Sequence, residues 1–379
     1  MRIGQVMGLT DWTPEMYESK IEMNRMDAER VVGGEMELEG WNGRRLLEVG
    51  IFLALIVGAI FALPGLGDLR ERLTGANPAL IGLALAFEIG SCLAFVAAFR
   101  GVFSRRLSWR FSYEVGMAEQ AANVLLPTGG AGGLALGAWA LRRVGMPADR
   151  IGRRTVAFFL ITSCANFAAV IVAGLGLALG LLPGRVALAT AMIPALAAAA
   201  ALAAIALSPR LLDGAGAESA GRIRAAIARG RGYAADGVRD AIALLGTGRP
   251  SVVLGSIAYM GLDILALAAV FAAFGGGAPS IGVFVLAYTI GQLGGLIPLP
   301  GGVGGTDGGL ILAFGLLGTP VGIAAAAVIG YRAFQLGVPA ILGIAAYGSL
   351  RRNLGQASEP AHGTPNGLGD RLEPAPATA

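Results

Sequence analysis

Long uncharged apolar runs alternate with short arginine-rich stretches along most of this chain. Residues 49–66, 155–182 and 186–208 carry no charged side chain, and each is long enough to cross a bilayer as a helix, which takes about 18–20 apolar residues. Extended to its polar borders, the pattern predicts six full spans, at 46–66, 78–99, 155–182, 186–208, 251–274 and 319–350. Two further apolar stretches, 113–141 and 281–318, are interrupted by glycine and proline. The first is centred on Pro127-Thr-Gly-Gly-Ala-Gly-Gly133, the second on Pro298-Leu-Pro-Gly-Gly-Val-Gly-Gly-Thr-Asp307. Neither run can continue a helix. Broken backbone at membrane depth survives only where protein or a water-filled cavity satisfies its N–H and C=O groups. The simpler reading is a short extramembrane loop between two spans. The repetition argues against it, since Pro127 and Pro147 are separated by the same interval as Pro300 and Pro320.

Arginine positions decide how these elements are threaded, because basic loops stay on the cytoplasmic side. Arg100, Arg105, Arg106 and Arg110 precede the stretch 113–141, and Arg142, Arg143, Arg150, Arg153 and Arg154 follow it. Both clusters being inside, that stretch must enter and return. Arg351-Arg352 after the last span imposes the same on 281–318, from the opposite face. The expected fold is an all-α polytopic membrane protein with six full spans and two re-entrant helical hairpins. Its two halves, 44–182 and 186–350, form an inverted repeat, an architecture that places transporter sites at the midplane between broken helices. The segment 209–250 holds seven arginines and is expected to be a cytoplasmic basic loop carrying an interfacial amphipathic helix. An acidic polar tail, 1–43, precedes this membrane domain (44–352), and a Pro-, Gly- and Ala-rich tail, 353–379, follows it as a disordered segment. Both termini are expected in the cytoplasm, with the domain in the cell's inner (plasma) membrane.

Composition agrees and narrows the chemistry. The chain is 55% hydrophobic and 14% charged, against about 25% charged in soluble domains; mean hydropathy is +0.67. Sixty glycines suit close helix packing in a membrane. The net charge of +4 comes from arginines at the ends of apolar runs and gives no nucleic-acid surface. Cys92 and Cys164 lie inside spans and read as packing residues. His362, the only histidine, falls in the tail, so no metal site and no histidine triad is expected in the membrane. No cofactor is expected either. The glycine runs lack the Lys-Ser/Thr of a phosphate-binding loop and the preceding strand of a dinucleotide fold.

Charges inside apolar stretches are the candidate chemistry, since each costs about 2.5–3.5 kcal/mol to insert at the bilayer centre. They are Glu88, Asp263, Asp307 and Arg332, with Glu114 and Glu119 in the first hairpin and the neutral Gln120, Asn123, Asn166, Gln292 and Gln335 beside them. Arg332 lies too deep in the last span to reach an interface. It is either a structural partner of Asp263 or Asp307, or a guanidinium that receives a phosphate in a fork-like contact. The expected substrate-binding residues are Arg332, Asp307, Asp263, Gln335, Gln292, Asn123 and Glu119. The expected turns are Pro127, Gly129 and Gly130 in one hairpin and Pro298, Pro300, Gly301, Gly302, Gly304 and Gly305 in the other. Half-helices starting after Gly133 and Gly305 would point positive N-terminal ends at an anionic headgroup.

Two motifs carry a family resemblance. Asn123-x-x-Leu-Pro127 followed by Gly-Gly, and Pro298-Leu-Pro-Gly-Gly-Val-Gly-Gly305 with Tyr331-Arg332-Ala-Phe-Gln335-Leu-Gly-Val-Pro339, resemble the lysylphosphatidylglycerol synthase transmembrane, or flippase-like domain, family over residues 46–352. The resemblance implies two re-entrant hairpins and movement of phospholipids or lipid-like substrates between leaflets. In the multiple peptide resistance factor this domain is fused to a cytosolic aminoacyl transferase, and here only a short tail follows Arg352, so aminoacylation is not expected. Asp307 matches the acidic residue that members often place after the second glycine turn. The arginine that members often carry after the first turn is missing, and Leu136-Gly137 stand near its place. The expected function is thus a translocase of phospholipid or lipid-linked substrates, its partner a membrane lipid with an anionic headgroup. Two alternatives stay open: a membrane enzyme or accessory subunit acting on isoprenoid-linked sugars through Glu114 and Glu119, or a non-catalytic partner that recruits a lipid synthase through 209–250.

Overall fold

A computed structural model of the chain describes residues 75–356 apart from 127, 129, 185, 213–221, 276–277 and 297–299. The predicted first span at 46–66, the tail 1–43, residues 357–379, and Pro127, Gly129 and Pro298 lie outside the described residues. Within them the chain forms ten α-helices and no strand. These are α1 (Pro78–Phe103), α2 (Trp109–Leu125), α3 (Ala131–Arg143), α4 (Ala148–Ala178), α5 (Leu188–Leu212), α6 (Arg222–Gly246), α7 (Pro250–Ala273), α8 (Ile281–Gln292), α9 (Gly305–Leu316) and α10 (Val321–Gln356).

Local sequence sets several starts. The Asn77 side chain accepts from Ala79 N at 3.0 Å with Pro78 in the first turn of α1, and Ser108 accepts from Phe111 N at 3.1 Å to cap α2. Side-chain caps of this kind satisfy N–H groups that a helix leaves open. Five helices, α1, α4, α5, α7 and α10, are long and apolar enough to cross a membrane; the chain is a multi-pass membrane protein. Several differ from expectation at their ends: α1 runs past Phe99 to Phe103, with Arg100 inside the helix, and α5 past Ser208 to Leu212. α4 begins at Ala148 behind Pro147, so Arg150, Arg153 and Arg154 belong to the helix and not to a loop. α10 runs on to Gln356, past the point where the tail was expected to begin, because Ser349 and Asn353 on its last turns hydrogen-bond to Glu114 of α2.

α1 and α7 form an antiparallel central pair. Asn77 N donates to Ala273 O at 3.0 Å, and Ser91 Oγ donates to Tyr259 O at 2.8 Å. Glycines let the two backbones approach: a Cβ on Gly101 would lie 2.8 Å from a Val252 methyl, and one on Gly255 would lie 2.9 Å from Ala98 N. Contact at that distance is how small residues bind helices in lipid, where burial of apolar surface gives no drive. α2 packs along α10, and α8 packs against α4. The basic segment does contain a helix, α6, which lies on α4 and α5. It buries Ala235, Val238, Ala241 and Leu244 while Ile242 stays exposed, and Arg154 of α4 meets Asp240 at 3.4 Å.

The two glycine-rich breaks are turns within helix pairs, α2–α3 and α8–α9. In the first, Gly130 takes a left-handed φ of 89° and α3 starts at Ala131. The helix was expected to start after Gly133; it starts earlier because Thr128 Oγ1 and Asn123 Oδ1 accept from Gly132 N and Gly133 N at 2.9 and 3.1 Å. In the second, a 3-10 turn at Leu293–Leu296 and another at Pro300–Gly302 lead to α9. Gly301, Gly302 and Gly304 there have φ of 57°, 66° and 86°, a region that residues with a Cβ enter only with strain.

Candidate functional site

The second turn, α2, α10 and the α1–α7 pair line a half-open cavity of about 180 Å³. Its charged and polar lining includes Glu88, Gln120, Asn123, Asp263, Arg332 and Gln335. The volume is below the range of about 300–1,000 Å³ for drug-sized ligand sites. It therefore has room for a small polar group and not for a drug-sized molecule.

Arg332 is 7% exposed and is the centre of the polar network. Its Nε–H donates to Asp307 Oδ1 at 2.6 Å. Nη1 donates to Gln335 Oε1 and Nη2 to the carbonyl of Gly301, an oxygen that the broken backbone of the turn leaves outside any helix. The other Asp307 oxygen accepts from Gly304 N at 2.7 Å, so one carboxylate closes the turn, caps α9 and balances the guanidinium. Gln335 passes the network on: its Nε2 donates to Asp263 Oδ2 at 3.1 Å. Asp263 also accepts from the hydroxyls of Tyr288 and Tyr331. Pro339, four residues after Gln335 in α10, lacks the N–H that would bond the Gln335 carbonyl, and it lines the same cavity.

A guanidinium has five N–H donors, and three of those on Arg332 are accounted for by Asp307, Gln335 and Gly301. Two remain in a polar cavity. Gly301 is also where the second turn meets the first pair: a Cβ there would lie 3.3 Å from Val124 O, at the end of α2. Among the described residues no group of three or more His, Cys, Asp and Glu side chains could hold a metal ion.

The expected site residues divide. Arg332, Asp307, Asp263 and Gln335 are brought into one hydrogen-bonded chain. Asn123 lines the cavity, although its Oδ1 is occupied by the backbone of α3. Gln292 ends α8 half-buried and is absent from the cavity lining. Glu119 is buried outside that lining; its carboxyl fills the space that Gly137 leaves, where an added Cβ would lie 1.5 Å from Oε1. Glu114 accepts from Arg110, Ser349 and Asn353, a tie between α2 and α10. Glu114 and Glu119 are therefore engaged at separate places and do not face one another across a shared cleft. Contributors to the network or cavity that were missed as site residues include Glu88, Gln120, Tyr259, Tyr288 and Tyr331. Glu88 carried a signal, being a carboxyl inside a span, whereas the tyrosines read as ordinary apolar lining.

The sequence matches the model of the family described as Lysylphosphatidylglycerol synthase TM region over residues 45–343. The chain belongs to this family. The matched segment takes in both helix pairs, the second turn and the whole polar network around Arg332, and it ends inside α10. No curated protein matches the chain.

Proposed function

We propose that this family member is a translocase that moves a phospholipid or lipid-linked substrate with an anionic headgroup between membrane leaflets. The observation that carries this reading is Arg332, held by Asp307, Gln335 and Gly301 with two N–H donors to spare inside the cavity. Two donors on a planar fork suit two phosphate oxygens. The headgroup enters the cavity while its acyl chains stay in lipid. Arg332, Asp307, Gln335 and Asp263 are the binding residues, and Asn123 lies at the edge of the site. Asp307 is structural partner and competitor at once, because an arriving phosphate offers Arg332 the same charge.

In this reading the pairs α2–α3 and α8–α9 are re-entrant hairpins, entering from opposite faces in an inverted repeat. Helix packing supports it, since several pairings in one half have counterparts in the other. α2 lies on α10 as α8 lies on α4, α3 lies on α4 as α9 lies on α10, and α1 and α7 face each other across the centre. The arginine clusters favour an orientation with both termini in the cytoplasm and the domain in the inner membrane.

Reconstituted alone in vesicles of phosphatidylcholine and phosphatidylglycerol, the full chain should equilibrate a fluorescent phosphatidylglycerol between leaflets, and Arg332→Ala should not. Leaflet movement indistinguishable from protein-free vesicles, with product formed only when a sugar donor is added, would favour a membrane enzyme instead.

A further inference from the structure

Glu88 is the carboxyl that the anion site leaves unused. The register that brings Asn77 to Ala273 and Ser91 to Tyr259 sets Glu88 of α1 opposite Asp263 of α7. Both line the cavity, at 3% and 4% exposure. Their hydrogen bonding differs. Asp263 is surrounded by donors from Tyr288, Tyr331 and Gln335, the setting of an ionised carboxylate, which only accepts. Glu88 Oε2 is buried and meets no hydrogen-bond partner among the described residues. A bare carboxylate there would be an unpaired charge next to a like one, an arrangement that carboxyl pairs avoid by sharing a proton. Protonated, the Glu88 carboxyl gains an O–H that can be donated to Asp263.

We propose that Glu88 and Asp263 together hold one exchangeable proton, and that this proton and an anionic headgroup at Arg332 bind in each other's favour. The proposal rests on the anion-binding reading of Arg332. The groups facing the pair are Cys92 on α1, Tyr259 on α7, Tyr288 on α8, and Tyr331 and Arg332 on α10, with Asp307 of α9 behind the arginine. Gln120 of α2, also in the lining, is neutral. Arg332 is the cation of this set. Without a ligand Arg332, though shared with Asp307, still draws the pair toward losing its proton. A phosphate on its two spare donors adds negative charge beside the pair, which then holds the proton, taken from water onto a carboxylate oxygen, more firmly. Linkage makes the effect reciprocal. A singly charged headgroup carried with one proton crosses without net charge. Its leaflet ratio should therefore follow a pH gradient, about tenfold per unit, and ignore a membrane potential.

Two measurements on the full chain test this. Infrared spectra of the purified protein should show a carboxylic-acid C=O band that grows on adding dihexanoyl phosphatidylglycerol. The band should be lost in Glu88→Gln; should that variant fail to fold, Asp263→Asn should shift the band, because the Glu88 O–H then loses its carboxylate acceptor. In Arg332→Ala it should not respond to the lipid. A wild-type band that is absent, or indifferent to the lipid, overturns the proposal. In vesicles, the phosphatidylglycerol ratio should shift with an imposed pH gradient and not with a potassium diffusion potential, and Glu88→Gln should respond to neither. A ratio set by the potential alone also overturns it. If no lipid moves in any condition, the translocase reading fails by itself and the infrared band still decides the proton pair.

Discussion

In the first glycine turn the N–H groups that open α3 meet neutral oxygens of Thr128 and Asn123, at 2.9 and 3.1 Å. In the second, the N–H of Gly304 meets a carboxylate, Asp307, whose other oxygen holds Arg332 at 2.6 Å. Both solutions satisfy helix-terminal donors away from water. Their consequences differ. A neutral cap has little to offer an ion, so the first turn is a fixed support. A capping carboxylate bound to a buried guanidinium is a contact that an anionic ligand can compete for. The second turn also lends its own carbonyl, Gly301 O, to the same arginine, so a ligand on Arg332 would act on the geometry of that turn directly. The departure seen in the sequence fits this division: near the place where an arginine was expected after the first turn, Gly137 makes room for the Glu119 carboxyl.

Substitutions that break this contrast should rank by the buried charge they strand or the packing they disturb. Arg332→Ala leaves Asp307 without its counter-charge. Breaking a buried pair costs about 3–5 kcal/mol, and the low end applies because the Asp307 side chain is 23% exposed. Thermal unfolding in detergent should show the loss, with Arg332→Lys intermediate in stability and poor in lipid binding because it lacks the fork. Next, Gly137→Ala puts a Cβ where Glu119 Oε1 now sits. Overpacking of this kind costs about 1–3 kcal/mol, and the double variant with Glu119→Ala should recover most of it. No recovery would mean that Glu119 does something other than fill that space. Asp307→Asn keeps the cap in outline and an amide oxygen for Arg332. Although the variant leaves the guanidinium without a counter-charge, Gln335 and Gly301 still hold it, so the cost is about 1.5–3 kcal/mol. It should hold phosphatidylglycerol more tightly, since Arg332 then lacks its internal competitor. Smallest is Thr128→Ala, at about 1 kcal/mol for a lost cap, with lipid binding per folded molecule unchanged.

Much of this was legible before any coordinates. Long apolar runs located α1, α4, α5, α7 and α10, and buried charge singled out Arg332, Asp307 and Asp263, since a charge at membrane depth needs a reason. What stayed hidden depends on register between distant segments. Glu88 and Asp263 are opposite one another because Gly101 and Gly255 let α1 and α7 close at one particular offset, and nothing local to either carboxyl states that offset. Tyr288 and Tyr331 escaped because a tyrosine in an apolar span is indistinguishable from packing until its hydroxyl finds an acceptor. Glu119 misled for the opposite reason. It is charged and buried like Arg332, yet the glycine that shapes its surroundings lies on the next helix.

The central claim, that the second turn and Arg332 hold an anionic headgroup, is tested most directly by equilibrium binding of dihexanoyl phosphatidylglycerol to the purified full chain, followed by phosphorus NMR. Charge-assisted hydrogen bonds contribute about 1.5–3 kcal/mol each. The account therefore predicts that Arg332→Ala weakens binding at least about tenfold, while Thr128→Ala at the first turn leaves it within about twofold. Folded Arg332→Ala protein that binds the lipid as the wild type does would contradict it.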